Sequence, residues 1–325
     1  MEIKTISEPN SLQEAIVYFS NPDNCLKYLV ARRWPKGVVC PTCGSNKVSF
    51  NASRRIWQCG SHHAKRQFSV KVGTIFEDSP ISLDKWLTAM WMVANCKNGI
   101  SSWEIHRSLG ITQKSAWFML HRLRLALQGK STVKRGGNGK EVEVDETFIG
   151  GASRNMHADK RARRIAAHGP KDKTVVLGML ERGKKIRTVV VPDTKQRTLQ
   201  GLVREHIEPG TDLMSDASPS YVGLQKDYEH QIIDHPVAYV HGNVHTNGLE
   251  NYWSLLKRGI KGTYVSVEPF HLFRYLDKQS FRYENRATKD NPMNDADRFD
   301  LAVSQVIGKR LSYAEVTGKV GQTNN

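Results

Sequence analysis

No stretch of this 325-residue chain approaches the roughly 18–20 uninterrupted apolar residues of a membrane span. The opening MEIKTISEPN lacks the basic-then-apolar pattern of a secretory leader, so a soluble intracellular protein is expected. Cysteine is scarce: Cys25, Cys40, Cys43, Cys59 and Cys96 form an odd, unevenly spaced set, which excludes a disulfide framework. Acid is also in short supply, with 32 Asp+Glu against 48 Lys+Arg and a formal charge of +16. Such an excess points to a polyanionic partner, nucleic acid above all. No internal repeat or low-complexity tract interrupts the chain. With 39% hydrophobic residues and seven tryptophans it is no disordered polycation, and it is long enough for two or three folded units.

Composition divides the chain. Residues 1–33 read as a helical lead-in with a turn at Asn21-Pro22-Asp23, and 34–80 hold three cysteines among short strands and turns. Residues 82–128 carry no proline and show helical periodicity; 129–140 are basic and glycine-rich, the composition of a flexible linker. From 141 to 290 strand patterns (141–148, 174–180, 186–191, 211–216) mix with helical ones (197–207, 246–259, 268–283), as in an α/β or α+β domain. Residues 291–325 read as a C-terminal extension, loose after Ser312.

Cys40-Pro-Thr-Cys43-Gly44, followed by Cys59 and the pair His62-His63, has the spacing of a structural zinc site. Zn²⁺ takes four tetrahedral thiolate or imidazole ligands; one knuckle supplies two, and Cys59 with either His62 or His63 supplies the others. Cys25 and Cys96 read as small buried hydrophobes.

Residues 101–128 predict two helices meeting at Gly110, with Thr112 capping the second, as in a helix-turn-helix. On the second helix Lys114, Arg122 and Arg124 are the candidate DNA contacts. A basic insert at 154–173 (Arg154, Lys160, Arg161, Arg163, Arg164, Lys171, Lys173) is a candidate DNA clamp.

The segment Glu141-Val-Glu143-Val-Asp145 alternates, placing three acids on one strand face and two valines on the other. Asp216 ends a second apolar strand, a usual place for a metal ligand. On the helix after His245, Leu249, Trp253, Leu256 and Ile260 form an apolar stripe with Glu250 and Lys257 together on its flank.

The succession VDETFIGG, SDASPSY and VHTNGLENYWSLLKRGIKGTYVSVEPFHLFRYLDKQSFRYENR resembles a bacterial insertion-sequence DDE transposase. It is most similar to the zinc-ribbon-containing group related to the eukaryotic Merlin elements, and RQFSVKVGTIFEDSPISLDKWLTAMW resembles that group's join between ribbon and helical region. The likeness spans roughly residues 25–290. It implies a multidomain α/β protein: N-terminal zinc ribbon, helix-turn-helix region and C-terminal RNase H-like mixed-sheet catalytic domain. It makes Asp145 the first catalytic acid and Asp216 the second. The third place falls to Asn247 or Glu250, with Glu250 favoured because six residues separate it from Lys257, as in related transposases. Two Mg²⁺ (or Mn²⁺) ions on these acids, Lys257 on a DNA phosphate, and Arg258 as a further DNA contact complete the implied site. The implied activity is binding of element ends followed by metal-dependent cleavage and strand transfer. The implied partners are double-stranded DNA, at element ends and target, and further copies of the chain, with no membrane; the implied place is the bacterial cytoplasm, on the nucleoid. The ribbon departs from the group, which usually has a fourth cysteine where this chain offers histidine. Two other functions fit parts of the pattern: a DNA-binding regulator, which loss of Asp145 or Asp216 would have favoured, and an RNase H-fold nuclease without strand transfer.

Overall fold

Helix starts in the N-terminal part are written as side-chain caps. Ser11 accepts the Glu14 N–H ahead of α1 (Leu12–Phe19), and Asn21 accepts the Asp23 N–H ahead of α2 (Pro22–Arg33). The Asn-Pro-Asp turn is thus a cap, with Pro22 at the first helical position, where its missing N–H costs nothing. The computed structural model describes residues 8–129, 133–150, 173–183, 185–233 and 245–319. They form two compact units: one runs to Gln128 and takes in the chain from Asn285 on, and the other is Gly129–Glu284.

In the first unit, a three-stranded antiparallel sheet of β1 (Val48–Asn51), β2 (Ile56–Cys59) and β3 (Gln67–Phe68) carries the cysteine region. Trp57 stacks on Phe68 and meets the edge of Trp34, a small aromatic core for a small sheet. Three helices follow: α3 (Leu83–Asn95), α4 (Ser102–Leu109) and α5 (Gln113–Ala126). Trp86, Leu87, Met90 and Trp91 bury α3 almost all round. The last segment completes this core. In α9 (Asp295–Ser304), begun by an Asn294/Asp297 capping box, Phe299 meets the rings of Phe19, Tyr28 and Trp91. Past Ser312, expected to be loose, a second capping box with Glu315 starts α10 (Tyr313–Val316) and buries Val316.

The second unit is built on a five-stranded sheet. Its central strand is β5 (Glu141–Ile149), followed in an antiparallel meander by β6 (Thr174–Glu181) and β7 (Ile186–Val191). On the other side β9 (Asp212–Asp216) and then β10 (Glu229–Ile233) run parallel to β5, giving the order β10-β9-β5-β6-β7. Three antiparallel strands followed by two parallel ones make the RNase H-like mixed sheet. Val142, Val144 and Leu213 face α6 (Gln196–His206) through Leu199 and Val203. The opposite face is covered by α7 (Asn247–Gly259) and α8 (Leu272–Glu284), through Leu249, Trp253, Leu256 and Leu276.

Two further features depart from the sequence expectation. The fifth strand, β10, is absent from it because Glu229, His230 and Gln231 give no apolar signal; as an edge strand it buries only Ile233 well. The glycine-rich segment also contains structure: β4 (Arg135–Gly136) pairs in parallel with β8 (Ile207–Glu208). Gly136 has φ +81°, and a Cβ there would collide with the Thr211 side chain, so glycine serves close packing at this point. No helix among the described residues is long and apolar enough to cross a membrane.

Candidate functional site

The structure gathers Cys40, Cys43, Cys59 and His63 into a cluster that could hold a metal ion, with potential ligand atoms all within 4.8 Å of one another. Of the two histidines left open by the sequence, His62 is exposed and outside the cluster. A tetrahedron with Zn–S of about 2.3 Å and Zn–N of about 2.0 Å sets S···S near 3.8 Å and S···N near 3.5 Å. Cys43 Sγ stands 3.7 Å from Cys59 Sγ, and Cys40 Sγ 3.4 Å from His63 Nε2. His63 Nδ1 donates to the Ala64 carbonyl at 2.6 Å, which leaves Nε2 as the ligand atom. Although burial raises the Cys40 thiol, N–H groups of Cys43 and Thr42 outweigh it and hold the pKa below its ordinary value. This donor set fits one structural Zn²⁺.

The pair α4–α5 has the caps its sequence predicts. Ser101 and Glu104 form a capping box, Gly110 turns the corner at φ +58°, and Thr112 accepts the Ser115 N–H at 3.2 Å. Its basic residues do not all face outward. Lys114 is exposed, beside the Tyr313 ring, but Arg122 is 5% exposed and Arg124 2%. Arg122 donates to the Glu77 carbonyl and lies over the rings of Trp86 and Phe118, so it belongs to the core. The second half of α5 is buried on all sides, and the expectation that Arg122 and Arg124 face DNA is corrected accordingly. Arg122→Ala is therefore expected to destabilise the protein by about 2–4 kcal/mol in thermal or urea unfolding. Lys114→Ala should leave stability unchanged and lower the salt dependence of DNA binding by about one charge.

Asp145 and Asp216 come together in the second unit. Glu143 pairs with Met214 across the parallel β5–β9 ladder, and each acid lies two residues further along its own strand. Asp145 Oδ2 accepts the Trp253 indole N–H at 2.8 Å. Burial, with Glu146 and Asp216 adding negative charge, pushes the Asp145 carboxyl up to about 7 despite that bond. Glu146 points to the other face, where it accepts the Tyr221 hydroxyl; burial and the Asp216 charge raise its pKa as well. Lys257 is within electrostatic reach of Asp145, whose charge offsets part of the burial that lowers the lysine.

Glycines make room for this arrangement. Gly178 lies opposite Asp145 on β6, and a Cβ there would come within 2.6 Å of the Trp253 ring and 2.9 Å of Leu249. A Cβ on Gly248 would come within 2.8 Å of Glu143 Oε2. Asn247 and Glu250 are both exposed on the first turn of α7, with Thr246 Oγ1 3.4 Å from Glu250 Oε1. Arg258 is exposed at the end of that helix, and Lys173 is exposed before β6. Arg154, Lys160, Arg161, Arg163, Arg164 and Lys171 lie outside the described residues.

Two stretches of the chain match known domains. Residues 136–284 match the ISXO2-like transposase domain, and residues 20–63 match the transposase zinc-ribbon domain. The chain carries an ISXO2-like transposase domain behind a transposase zinc ribbon. The transposase match coincides with the second unit to within a few residues at its start, and the ribbon match ends on the fourth ligand, His63. A protein described as an uncharacterized protein in transposable element ISH50 of Halobacterium salinarum is 25% identical over 265 residues, 78% of this chain and 87% of the relative. An uncharacterized transposase-like protein of Haemophilus influenzae is 28% identical over 106 residues, 32% of this chain and 85% of the relative.

Four residues of the transposase site carry no assigned role in the sequence reading. Trp253 looks like one more member of the α7 apolar stripe, yet its indole nitrogen serves Asp145. Glu146 sits on the valine face of β5, and nothing in the sequence joins it to Tyr221. Glu143 is placed correctly on the acid face, but its burial at 1% exposure follows only from the helix laid over it.

Proposed function

We propose that this transposase binds the ends of its element and carries out metal-dependent cleavage and strand transfer at Asp145 and Asp216. The observation that supports it most is the placing of these carboxylates on adjacent parallel strands, Asp145 midway along β5 and Asp216 at the end of β9, with Lys257 within electrostatic reach of Asp145. Burial and mutual repulsion leave Asp145 and Glu146 short of compensating positive charge, the condition a hard divalent cation relieves. Asp145, Asp216 and a third ligand on α7 would hold two Mg²⁺ (or Mn²⁺) ions. When bound, such ions activate the attacking oxygen and stabilise the leaving one. Lys257 holds a phosphate of the element end as a point charge. Exposed Lys114, Lys173 and Arg258 add phosphate contacts, as do Arg161, Arg163 and Arg164 of the basic insert. A free 3′-hydroxyl then takes the place of water and attacks a phosphodiester of the target, forming a new P–O bond as the target's own 3′-oxygen leaves, and handling two ends calls for at least two copies of the chain.

The third ligand is Glu250. At about 100° per residue, Glu250 lies about 20° around the α7 axis from Lys257, which is within electrostatic reach of Asp145, and about 60° from Trp253, which is hydrogen-bonded to Asp145. Asn247 lies about 80° and about 120° from the same two residues. Glu250→Gln is expected to reduce cleavage of an end-bearing duplex about a hundredfold or more with DNA affinity retained, and Asn247→Ala by less than about tenfold. The reverse order would give the place to Asn247.

A further inference from the structure

Glu143 is the one buried acid of β5 that the proposed chemistry leaves without a task. Its side chain is 1% exposed, and both carboxylate oxygens are engaged. Oε1 accepts the Arg182 Nε–H at 2.9 Å, and Oε2 accepts the backbone N–H of Leu249, in the first turn of α7, also at 2.9 Å. Arg182 reaches further: it pairs with Glu141 at 3.0 Å and donates to the His245 carbonyl at 2.7 Å, on the segment entering α7. One guanidinium therefore ties the catalytic strand to the start of the helix.

The second tie lies one helical turn on. Leu249 is bound to Glu143, and Trp253 is bound to Asp145. Two residues along a strand advance about 6.6 Å, and four along a helix about 6 Å. These near-equal steps let α7 run beside β5 with both bonds made. Each tie has its glycine, Gly248 at the first and Gly178 at the second, where a Cβ would collide with the groups that meet. Glu250 falls between the two tied residues, and Lys257 lies one turn beyond the second.

We propose that Glu143, clamped by Arg182, is a positioning residue that sets the register of α7 against β5 and so places Glu250 and Lys257 relative to Asp145. The proposal rests on the cleavage reading above but has its own readout. Loss of the clamp leaves every ligand and every exposed cation in place, so binding of DNA is unaffected while the metal site loosens. Partners behind metal ligands typically matter by about 10–100-fold in metal affinity or activity.

The test uses the full-length protein, Glu143→Gln and, as a second variant that keeps the buried carboxylate, Arg182→Lys. The measurements are Leu249 amide exchange, DNA affinity, and cleavage of an end-bearing duplex across a Mg²⁺ titration with a Mn²⁺ arm. Expected for both variants are faster Leu249 exchange, a kcat lower by about tenfold or more, and a higher half-saturating Mg²⁺. KM for DNA should stay within about twofold, and Mn²⁺, which tolerates looser geometry, should recover part of the rate. If Glu143→Gln does not fold, Arg182→Lys decides. A folded variant with unchanged kcat and Mg²⁺ requirement overturns the proposal, as does a loss seen only in KM. An inactive wild type would instead overturn the cleavage reading, and the proposal would then fail if Leu249 exchange were also unmoved in the variants.

Discussion

Asp145→Asn and Asp216→Asn are each expected to lower cleavage and joining by on the order of a thousandfold while DNA affinity stays near wild type. In the proposed site each change removes an oxygen ligand where there are few, and neither touches the exposed cations proposed to hold DNA. The Asp145 variant has a second, opposite consequence. Its carboxyl is raised to about 7 in the fold, against an ordinary value of 3.8. A raised acid favours folding fully below the unfolded value, and that contribution is lost as pH climbs from about 4 through about 7. Over that window the Gly129–Glu284 unit should lose about 4 kcal/mol of stability without divalent cation. Asparagine is neutral throughout and can still accept the Trp253 N–H. Asp145→Asn should therefore be more stable than wild type at pH 8 without Mg²⁺, and adding Mg²⁺ should raise the melting temperature of wild type only. Thermal melts at pH 5 and pH 8, with and without Mg²⁺, measure both effects.

Removing zinc should unfold β1–β3. Three strands of two to four residues and one small aromatic cluster make too little core to stand alone, and zinc binding in such modules is worth on the order of 10 kcal/mol. The purified protein should carry about one Zn²⁺ per chain, and a strong chelator should erase the amide protection of residues 40–68. The Gly129–Glu284 unit, with its own two-sided core, should keep its protection. Cys59→Ser and His63→Ala should behave like the chelated protein, and His62→Ala like wild type, because His62 lies outside the ligand cluster. A folded, reduced sample without zinc would remove this account of the ribbon.

What the sequence made readable was whatever depends on local spacing. The C-x-x-C knuckle, the Gly110 corner with its Thr112 cap, the alternation of Glu141-Val-Glu143-Val-Asp145 and the α7 stripe are patterns of a few residues, and the structure contains them all. What was hidden depends on which face something else covers. Arg122 and Arg124 read as DNA contacts because a basic residue on a helix is usually solvated; packing around the second half of α5 makes them part of the core. The bonds of Trp253 to Asp145 and of Tyr221 to Glu146 span 108 and 75 residues, a separation that no pattern in a window reports. Choosing His63 over His62 required the hairpin geometry, since both spacings occur in zinc sites.

The central claim is that Asp145 and Asp216 together hold the ions that cut and join DNA. It is tested most directly with purified protein, Mg²⁺ and a labelled duplex bearing the inverted repeat that bounds the element, comparing wild type with the Asp145→Asn, Asp216→Asn double variant. Wild type should nick the end and then join its 3′-hydroxyl to target DNA, in Mg²⁺ or Mn²⁺ but not Ca²⁺, while the double variant binds the same duplex and leaves it intact. Robust Mg²⁺-dependent cleavage by the double variant would contradict the account.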